Sequence, residues 1–263
     1  MKKPKVTVLL PVFNVETYVR RTLDCLGWAD ELLVVDSFSK DSTVEICREY
    51  GARIVQHEYI NSAKQKNWAL QFAKNDWIFQ IDSDEALEEG AADEILRAVK
   101  GAAPHIAAYR LPRKNHTLGK WIRYGGVYPD YQTRLFRGTK GRWSDREVHA
   151  HVVVDGVVGT LSSHILHFGA PNLSKQLSNL DRYTRYEADE LRKRGKVFRP
   201  TQVLLRPLAV FTYRYLVKLG FLDGWRGFYV CSIITISDFL SHAKLWEMQE
   251  LGLDKSPKDG YGQ

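Results

Sequence analysis

Hydrophobic residues in the first hundred positions alternate between short strand-like runs and helical patterns. Four apolar runs rich in β-branched and aromatic residues predict strands at 6–10, 32–36, 53–56 and 77–82. A helix-start signal follows the first three runs: Asn14 before a helix over 15–26, Ser42 with Glu45 as a capping box for 42–50, and Ser62 for 62–73. Apolar strands separated by helices predict a parallel sheet with helices on both faces.

This alternation predicts an α/β fold with a Rossmann-like half. In such sheets ligands bind beyond the carboxyl ends of the strands, so the residues that end each strand matter most for function. Neither GxGxxG nor GxxxxGK[ST] follows any of the four runs. The common dinucleotide-binding and P-loop sites are therefore excluded.

Acidic residues end two of the predicted strands. Asp36 closes the second, and Asp82 and Asp84 close the fourth. Two carboxylates one residue apart can hold a divalent ion against a diphosphate, although carboxylates also cap helices and decorate turns. Lys66 and Asn67 lie near the start of the third predicted helix. Their side chains either point toward the same strand ends as these acids or face solvent.

Composition is that of a globular protein rather than a fibrous or disordered chain. Of 263 residues, 44% are hydrophobic and 26% charged. Three separated cysteines and no CxxC pair argue against a disulfide framework or thiolate zinc site and favour a reducing cytoplasm. Pro11 and the strand-like N-terminal run argue against a cleaved signal.

Positive charge is concentrated toward the C-terminus. The net charge is +7, and residues 182–226 carry 11 basic and 4 acidic side chains. We predict a basic, aromatic helical extension over 173–250 and a tail over 251–263 whose last residues, SPKDGYGQ, are disordered. The extension includes an amphipathic helix over 199–219, in which Pro200 and Pro207 indicate an early start or a kink. This helix either lies on an anionic membrane surface or packs on its own domain. Within residues 182–226, no uncharged stretch approaches the roughly 20 apolar residues needed to span a bilayer.

Several segments in order along the chain resemble a known enzyme family. They are VTVLLPVFN, DELLVVDSFSKDST, AKQKNWAL and WIFQIDSDE, followed by GGVYPDYQTRLFRG, the WSDREVH run, DRYTRYEADEL and GFLDGWRGF. Together they resemble the inverting family 2 glycosyltransferases of GT-A fold, and within them the lipopolysaccharide core β-glucosyltransferase subgroup, across roughly residues 5–248. The resemblance implies a catalytic domain over 1–172, with a nucleotide-sugar-binding half (1–100) and an acceptor half (101–172).

The resemblance also implies roles for single residues. Pro11, Asn14 and Asp36 match positions that contact the nucleoside, and Lys66 and Asn67 match the patch beside it. Asp82 and Asp84 match the pair through which Mg²⁺ or Mn²⁺ neutralises the leaving diphosphate. His167 resembles a late histidine that completes the metal or diphosphate contacts in some GT-A enzymes, or is a core histidine.

Inversion needs one carboxylate to deprotonate the acceptor hydroxyl. Asp145 precedes a predicted strand, and we favour it as the base because a loop acid is easier to aim into a crevice. Glu147 is the alternative. Relatives usually read V-H-E where this chain has Val148, His149 and Ala150, so the base assignment rests on these two acids.

Other polar residues in the second half of the chain each allow two interpretations. Arg134 and Arg137 reach a diphosphate or a phosphorylated acceptor, or face solvent on an edge strand. The late histidines have spacings that fit strand faces as well as zinc, and without a thiolate they do not predict a zinc site: His149, His151, His164 and His167.

The expected activity is metal-assisted transfer of a sugar, by single displacement, from a UDP-sugar or other nucleotide sugar. The expected acceptor is a lipid-linked or lipopolysaccharide-core saccharide at the inner face of the cytoplasmic membrane. The alternatives are a nucleotidyltransferase, which would normally show a glycine-rich loop after the first strand, and a non-catalytic nucleotide- or sugar-binding relative. Nucleic acid is not an expected partner, because the basic residues belong to no recognised module.

Overall fold

The computed structural model describes residues 5–144, 151–169 and 172–252. The chain forms two compact units, one of Met1–Lys114 with Pro129–His167 and one of Asn115–Tyr128 with Phe168–Gln263. The strands are β1 (Val6–Val12), β2 (Glu31–Asp36), β3 (Arg53–Gln56), β4 (Trp77–Gln80), β5 (Glu85–Leu87), β6 (Ile106–Thr117), β7 (Lys120–Trp121), β8 (Asp130–Arg137), β9 (Gly141–Trp143), β10 (Val152–Val154), β11 (Val157–Thr160) and β12 (Ile165–His167). The α-helices are α1 (Val19–Asp24), α2 (Thr43–Glu49), α3 (Ser62–Ala69), α4 (Ala91–Gly101), α5 (Leu173–Lys193), α6 (Thr201–Leu204), α7 (Arg206–Thr212) and α8 (Gly224–Glu250).

The first unit is built on one twisted sheet. Strands β3, β2, β1 and β4 lie side by side and parallel, and the sheet continues through β8, β6, β12 and β5. Strand β8 is antiparallel to both β4 and β6. The predicted α/β fold is therefore confirmed, and the four strands that the hydrophobic runs indicated form one parallel block of the sheet.

Alternation along the central strand explains why both faces of the sheet are covered. Val8 and Leu10 pack in one core cluster with Phe79, whereas Leu9 packs in a second cluster with Ile78. Successive side chains of a strand point to opposite faces, so a continuous apolar run supplies two cores at once. Burial of each such side chain contributes roughly 1.5–3 kcal/mol.

The predicted helix caps differ from those observed. Helix α1 begins at Val19 rather than residue 15, and the Asn14 side chain accepts a hydrogen bond from the Lys40 N–H instead. Ser42 occupies the N-cap of α2 without a side-chain cap bond, and its own N–H donates to Glu16 rather than to Glu45. Asn61, not Ser62, caps α3 through Oδ1. Nearby loops compete for these polar side chains, and sequence spacing does not reveal that competition.

The second unit is mainly helical, and its two long helices, α5 and α8, pack against each other. The helix predicted over 199–219 is interrupted near Pro207, one of the two prolines expected to start or kink it, and the segment consists of α6, α7 and a π-helical turn at Tyr213–Val217. Pro207 lies in the first turn of α7 and has no N–H to continue a helix from α6. In the part of the chain that the structure describes, no helix has the length and apolar content needed to cross a membrane.

Candidate functional site

Asp36 ends β2 beside Val12 of the neighbouring strand. Its buried carboxylate accepts hydrogen bonds from the Ser39 N–H (3.1 and 3.2 Å), the Ser39 hydroxyl (2.5 Å) and the Gln56 side chain (3.0 Å). These contacts fold the loop after β2 back over the end of its own strand. Asp36 is thus a fixed acceptor at the carboxyl edge of the parallel sheet.

The loop after β1 is tied to the loop after β2. Asn14 donates its backbone N–H to the Ser39 hydroxyl at 2.9 Å and accepts from the Lys40 N–H at 2.8 Å. Its φ is +49°, a conformation that asparagine tolerates better than most residues. Pro11 lies in β1 opposite Val35. The predicted nucleoside-binding residues Pro11, Asn14 and Asp36 therefore share one edge of the sheet.

Helix α3 joins this edge to the acidic loop after β4. The Gln65 side chain donates to the Ser37 hydroxyl, next to Asp36, at 2.5 Å. The next residue, Lys66, is buried and places Nζ 2.9 Å from Oδ1 of Asp82. Two consecutive side chains of one helix thus connect the ends of two parallel strands.

Asp82 lies just beyond β4, in a loop rather than in the predicted strand. Its Oδ1 also accepts from the Gln80 side chain at 2.8 Å, and its Oδ2 accepts from Arg134 Nη2 at 2.9 Å. Burial alone would raise the pKa of Asp82, but the charges and hydrogen bonds of Lys66 and Arg134 outweigh that effect and hold the pKa far below its usual range. Asp82 is therefore ionised at any working pH, and a third of its side chain is exposed.

Arg134 is buried at the centre of an ionic cluster that extends beyond the predicted residues. Its Nη1 donates to Gln80, and Nη2 also donates to Glu85 at 2.6 Å. The carboxylate of Glu85 is fully buried, and it also accepts from the Asp82 N–H (3.0 Å) and from Arg113 (3.2 Å). Burial opposes the charge of Arg134, but the carboxylates of Glu85 and Asp82 raise its pKa. Among the described residues, Arg134 Nε is a buried donor without a hydrogen-bond partner.

Sequence reasoning missed Glu85, Gln80 and Arg113. Glu85 follows D-S-D directly, and Gln80 is a polar residue inside an otherwise apolar strand. A polar residue at a strand position buried on both faces requires a buried partner, which is the signal that could have indicated Gln80.

Asp84 lies beside His167 of β12, with Oδ2 3.3 Å from Nε2. Both side chains are partly exposed, so an oxygen and a nitrogen ligand atom are accessible together. This pair suits Mn²⁺ or Mg²⁺ as two ligands, and Asp82 Oδ2 retains lone-pair capacity beyond its bond to Arg134. In the described part of the chain, no group of three or more His, Cys, Asp or Glu side chains is arranged to hold a metal ion. The described side chains therefore supply two neighbouring ligands of the kind that Mg²⁺ or Mn²⁺ binds, and the remaining ligands of a bound ion would have to come from other molecules.

Asn67 joins α3 to the strand that leads toward the candidate bases. Its side chain donates to the Trp143 carbonyl at 3.0 Å and accepts from the Trp143 N–H at 2.9 Å. Lys66 lies 5.8 Å from the centre of the Trp143 ring. Asp145 and Glu147, which follow two and four residues later, lie outside the described residues, as does His149.

Arg137 lies away from this edge, at the start of β4. It is paired with Trp77 across the sheet and forms an ion pair with Asp76 at 3.0 Å. These contacts place Arg137 at the opposite end of β4 from Asp82, which does not favour a shared diphosphate contact with Arg134. The alternative that both arginines face solvent on an edge strand is wrong, because β8 lies between β4 and β6. Of the other histidines, His164 Nδ1 lies 2.7 Å from Glu88, and His151 is exposed just before β10.

A Rossmann-like sheet with carboxylates and cations at its carboxyl edge, and no glycine-rich phosphate loop, is the arrangement expected of a glycosyltransferase of GT-A fold. Residues 7–161 match the model of glycosyl transferase family 2. The chain belongs to this family, which confirms the resemblance read from its sequence and its assignment as a transferase enzyme.

Relatives and solved structures agree with this assignment. The lipopolysaccharide core biosynthesis glycosyltransferase LpsC of Rhizobium meliloti is 28% identical over 250 residues, which cover 90% of each protein. An uncharacterised glycosyltransferase of Rickettsia bellii is 26% identical, over 96% of this chain and 89% of its own. The glucosyl-3-phosphoglycerate synthase of Mycobacterium tuberculosis, solved with phosphoglyceric acid, has a TM-score of 0.50 at 15% identity, over 74% of this chain and 81% of its own. The last similarity shows the fold alone.

Proposed function

We propose that this glycosyltransferase moves a sugar, with inversion, from a nucleotide sugar to a lipopolysaccharide-core or lipid-linked saccharide. A UDP-sugar is the favoured donor. The observation that carries the proposal is the link made by α3, where Gln65 binds the loop of Asp36 and Lys66 binds Asp82. A donor needs both a base-reading acceptor and a charged diphosphate site, and this helix holds the two at one edge. The name of the Rhizobium relative supports the choice of acceptor.

The donor site has the charges that a departing nucleotide requires. Lys66 and Arg134 are fixed cations beside Asp82, and cations positioned before the reaction stabilise developing negative charge without reorganisation. Asp84 and His167 would supply two ligands to a divalent ion, whose remaining ligands would come from the diphosphate and water. When bound, that ion would offset the charge of the leaving diphosphate.

Transfer is a single displacement at the anomeric carbon. The acceptor oxygen forms a bond to that carbon while the bond to the diphosphate oxygen breaks, and the hydroxyl proton passes to a carboxylate. Asp145 is the proposed base and Glu147 the alternative. Asn67 supports this proposal, since its two hydrogen bonds to Trp143 fix the strand that ends immediately before this segment.

We also propose that the second unit holds the enzyme at the inner face of the cytoplasmic membrane, through apolar side chains rather than through its arginines. Arg206 forms a bidentate ion pair with Asp238 at 2.8–3.0 Å, and Arg214 donates to the Gly125 carbonyl. Large apolar side chains of the same segments are instead exposed by more than half: Leu204, Leu205, Leu208, Leu216, Val217, Leu222, Trp225 and Phe228.

Aromatic side chains of the same segments pack against one another. Tyr215 contacts the rings of Phe211, Phe221 and Phe228, at centroid distances of 5.2, 6.2 and 5.8 Å. These contacts bring α7, the π-helical turn and the start of α8 together. An apolar surface of this kind with flanking cations and a tryptophan suits the interface of a bilayer.

A panel of nucleotide sugars tests the proposed reaction. Each sugar nucleotide is added to the purified enzyme with and without Mn²⁺, and both thermal stabilisation and release of the nucleoside diphosphate are measured. We expect a UDP-sugar to raise the melting temperature most, and more so with Mn²⁺. Absence of stabilisation and release with every nucleotide sugar would overturn the proposal.

A further inference from the structure

Phe38 combines a left-handed backbone with an exposed aromatic ring. Its φ is +61°, and 52% of the residue is exposed. This conformation is a genuine outlier for a bulky residue, and it costs of order 1 kcal/mol or more. Such a residue persists only where its neighbours determine the backbone.

Hydrogen bonds on each side fix the backbone at Phe38. The Ser37 N–H donates to the Val12 carbonyl at 3.1 Å, and the Ser37 hydroxyl accepts from Gln65. On the other side, Ser39 donates both its N–H and its hydroxyl to Asp36. The chain therefore reverses between two anchored serines, and the residue between them takes the positive φ.

The phenyl ring itself contributes little to this turn. Among the described residues, the ring belongs to neither core cluster of the first unit. A glycine would adopt the same backbone without strain. The local structure therefore accounts for the conformation but not for the aromatic side chain.

A second strained residue gives a useful comparison. Leu118 has a φ of +51°, is 49% exposed, and forms with Gly119 the two-residue turn between β6 and β7. Tight hairpins of this type require positive φ at both central residues, so the strain at Leu118 follows from the hairpin. Phe38 instead lies two residues after Asp36, at the edge where we place the donor nucleotide.

We propose that Phe38 is a stacking platform for the base of the donor nucleotide, an inference that rests on the proposed function. A nucleobase has a flat π-face that stacks on an aromatic ring whatever its hydrogen-bonding edge, and loss of one such contact weakens binding by about 5- to 100-fold. Asp36 would determine which base binds, whereas Phe38 would provide affinity. The exposed ring and the fixed loop give this contact a low ordering cost.

The test compares Phe38→Gly, Phe38→Tyr and Leu118→Gly in the full-length protein. Titration calorimetry with UDP and Mg²⁺ measures affinity, and it is repeated with CDP, GDP and ADP and with pyrophosphate, which has no base. We expect Phe38→Gly to weaken binding of the preferred nucleoside diphosphate by about 5- to 100-fold while leaving pyrophosphate binding unchanged. Phe38→Tyr should retain affinity within about twofold, and Leu118→Gly, which relieves the same kind of strain, should bind as the wild type does.

Thermal unfolding without nucleotide separates a binding role from a structural one. Phe38→Gly removes backbone strain, so its melting temperature should stay within about 2 °C of the wild type or rise. The inference would be overturned if Phe38→Gly bound more weakly and also melted at a clearly lower temperature. It would also be overturned if Leu118→Gly bound more weakly.

The remaining outcomes distinguish this inference from the proposed function. Equal affinity of Phe38→Gly and wild type for the preferred nucleoside diphosphate would overturn the stacking role and leave the proposed function standing. Failure of the wild type to bind any nucleoside diphosphate would overturn the proposed function and this inference together.

Discussion

Lys66 Nζ lies 2.9 Å from Asp82 Oδ1, and the lysine side chain is only 8% exposed. The pair belongs to a connected cluster of three positive and three negative side chains: Lys66, Arg134 and Arg113 with Asp82, Glu85 and Asp130. Balanced charges of this kind allow ionised groups to remain fixed inside a protein. The acidic loop after β4 is therefore held by its cations before any substrate arrives.

Removal of the Lys66 charge should weaken both the fold and donor binding. Lys66→Met leaves Asp82 with one cationic partner, and we expect a loss of about 1–2 kcal/mol in unfolding free energy, less than for a fully buried pair because Asp82 is partly exposed. Urea unfolding measures the change. Lys64→Met is the matched control, since this exposed neighbour on α3 should change stability by less than about 0.5 kcal/mol. Equal stability of both variants would contradict the structural role of the pair.

Replacement of Asp84 by Ala should abolish transfer and greatly weaken metal-dependent nucleotide binding. The expectation rests on Asp84 and His167 as the accessible oxygen and nitrogen ligand atoms at this edge. Transfer assays with Mn²⁺, and with a chelator present, measure the effect. Full activity of the wild-type enzyme in chelator would show that the proposed metal has no role.

The catalytic base is expected to be Asp145. Asp145→Asn should lower turnover by a factor on the order of 10² or more, because general base catalysis typically contributes 10²–10⁴, while donor binding should remain. Single-turnover rates and nucleotide affinity are measured for this variant and for Glu147→Gln. If Glu147→Gln loses turnover and Asp145→Asn does not, the role passes to Glu147.

Stability in acid should depend on Glu94. Burial raises the pKa of this carboxylate, but hydrogen bonds from Ser162 and Ser163 at 2.7–2.9 Å lower it from 4.5 to about 2. Since the folded pKa lies below the unfolded one, the stabilisation is present above about pH 4.5 and is lost as the pH falls toward 2. We expect the unfolding free energy of the wild type to exceed that of Glu94→Gln by about 1 kcal/mol at pH 6, after allowance for solvent screening. The difference should be smaller at pH 3. A difference independent of pH would rule out this titration.

Membrane attachment should depend on apolar side chains and resist salt. The test variant replaces three highly exposed residues in the second unit, and the control removes three exposed apolar side chains from strands of the first unit. The test variant carries Leu204→Gln, Leu208→Gln and Trp225→Gln. The control variant carries Val153→Thr, Val157→Thr and Val158→Thr. We expect the test variant to bind anionic phospholipid vesicles at least tenfold more weakly, because each buried apolar side chain is worth roughly 1.5–3 kcal/mol.

Co-sedimentation with vesicles at 0.1 and 1 M NaCl measures this binding. The wild type and the control variant should both remain largely bound at 1 M, where the Debye length is about 3 Å. Complete release of the wild type by salt would assign attachment to the basic residues instead. Equal pelleting of wild type and test variant would mean that these apolar side chains do not enter the bilayer.

The sequence by itself determined the parallel core and the edge where the site lies. Runs such as VTVLL and WIFQ can be buried on both faces only in a sheet covered by helices, so hydrophobic pattern indicated strands that the structure confirms. The carboxyl ends of parallel strands meet at one edge of the sheet. Because Asp36 and Asp82 each come at the end of a predicted strand, the sequence was enough to place them at the same edge.

Only the tertiary structure decided how the polar side chains are used. Asn14 was expected to cap a helix and instead fixes the loop of Ser39 and Lys40, and Glu85 drew no attention although its buried carboxylate joins Arg134 to Arg113. A hydrogen bond or ion pair is short-ranged and directional, so it depends on which side chains the fold brings within about 3 Å of each other. Burial of an apolar run is a property of the segment itself, whereas the partner of a charge is supplied by residues distant in sequence.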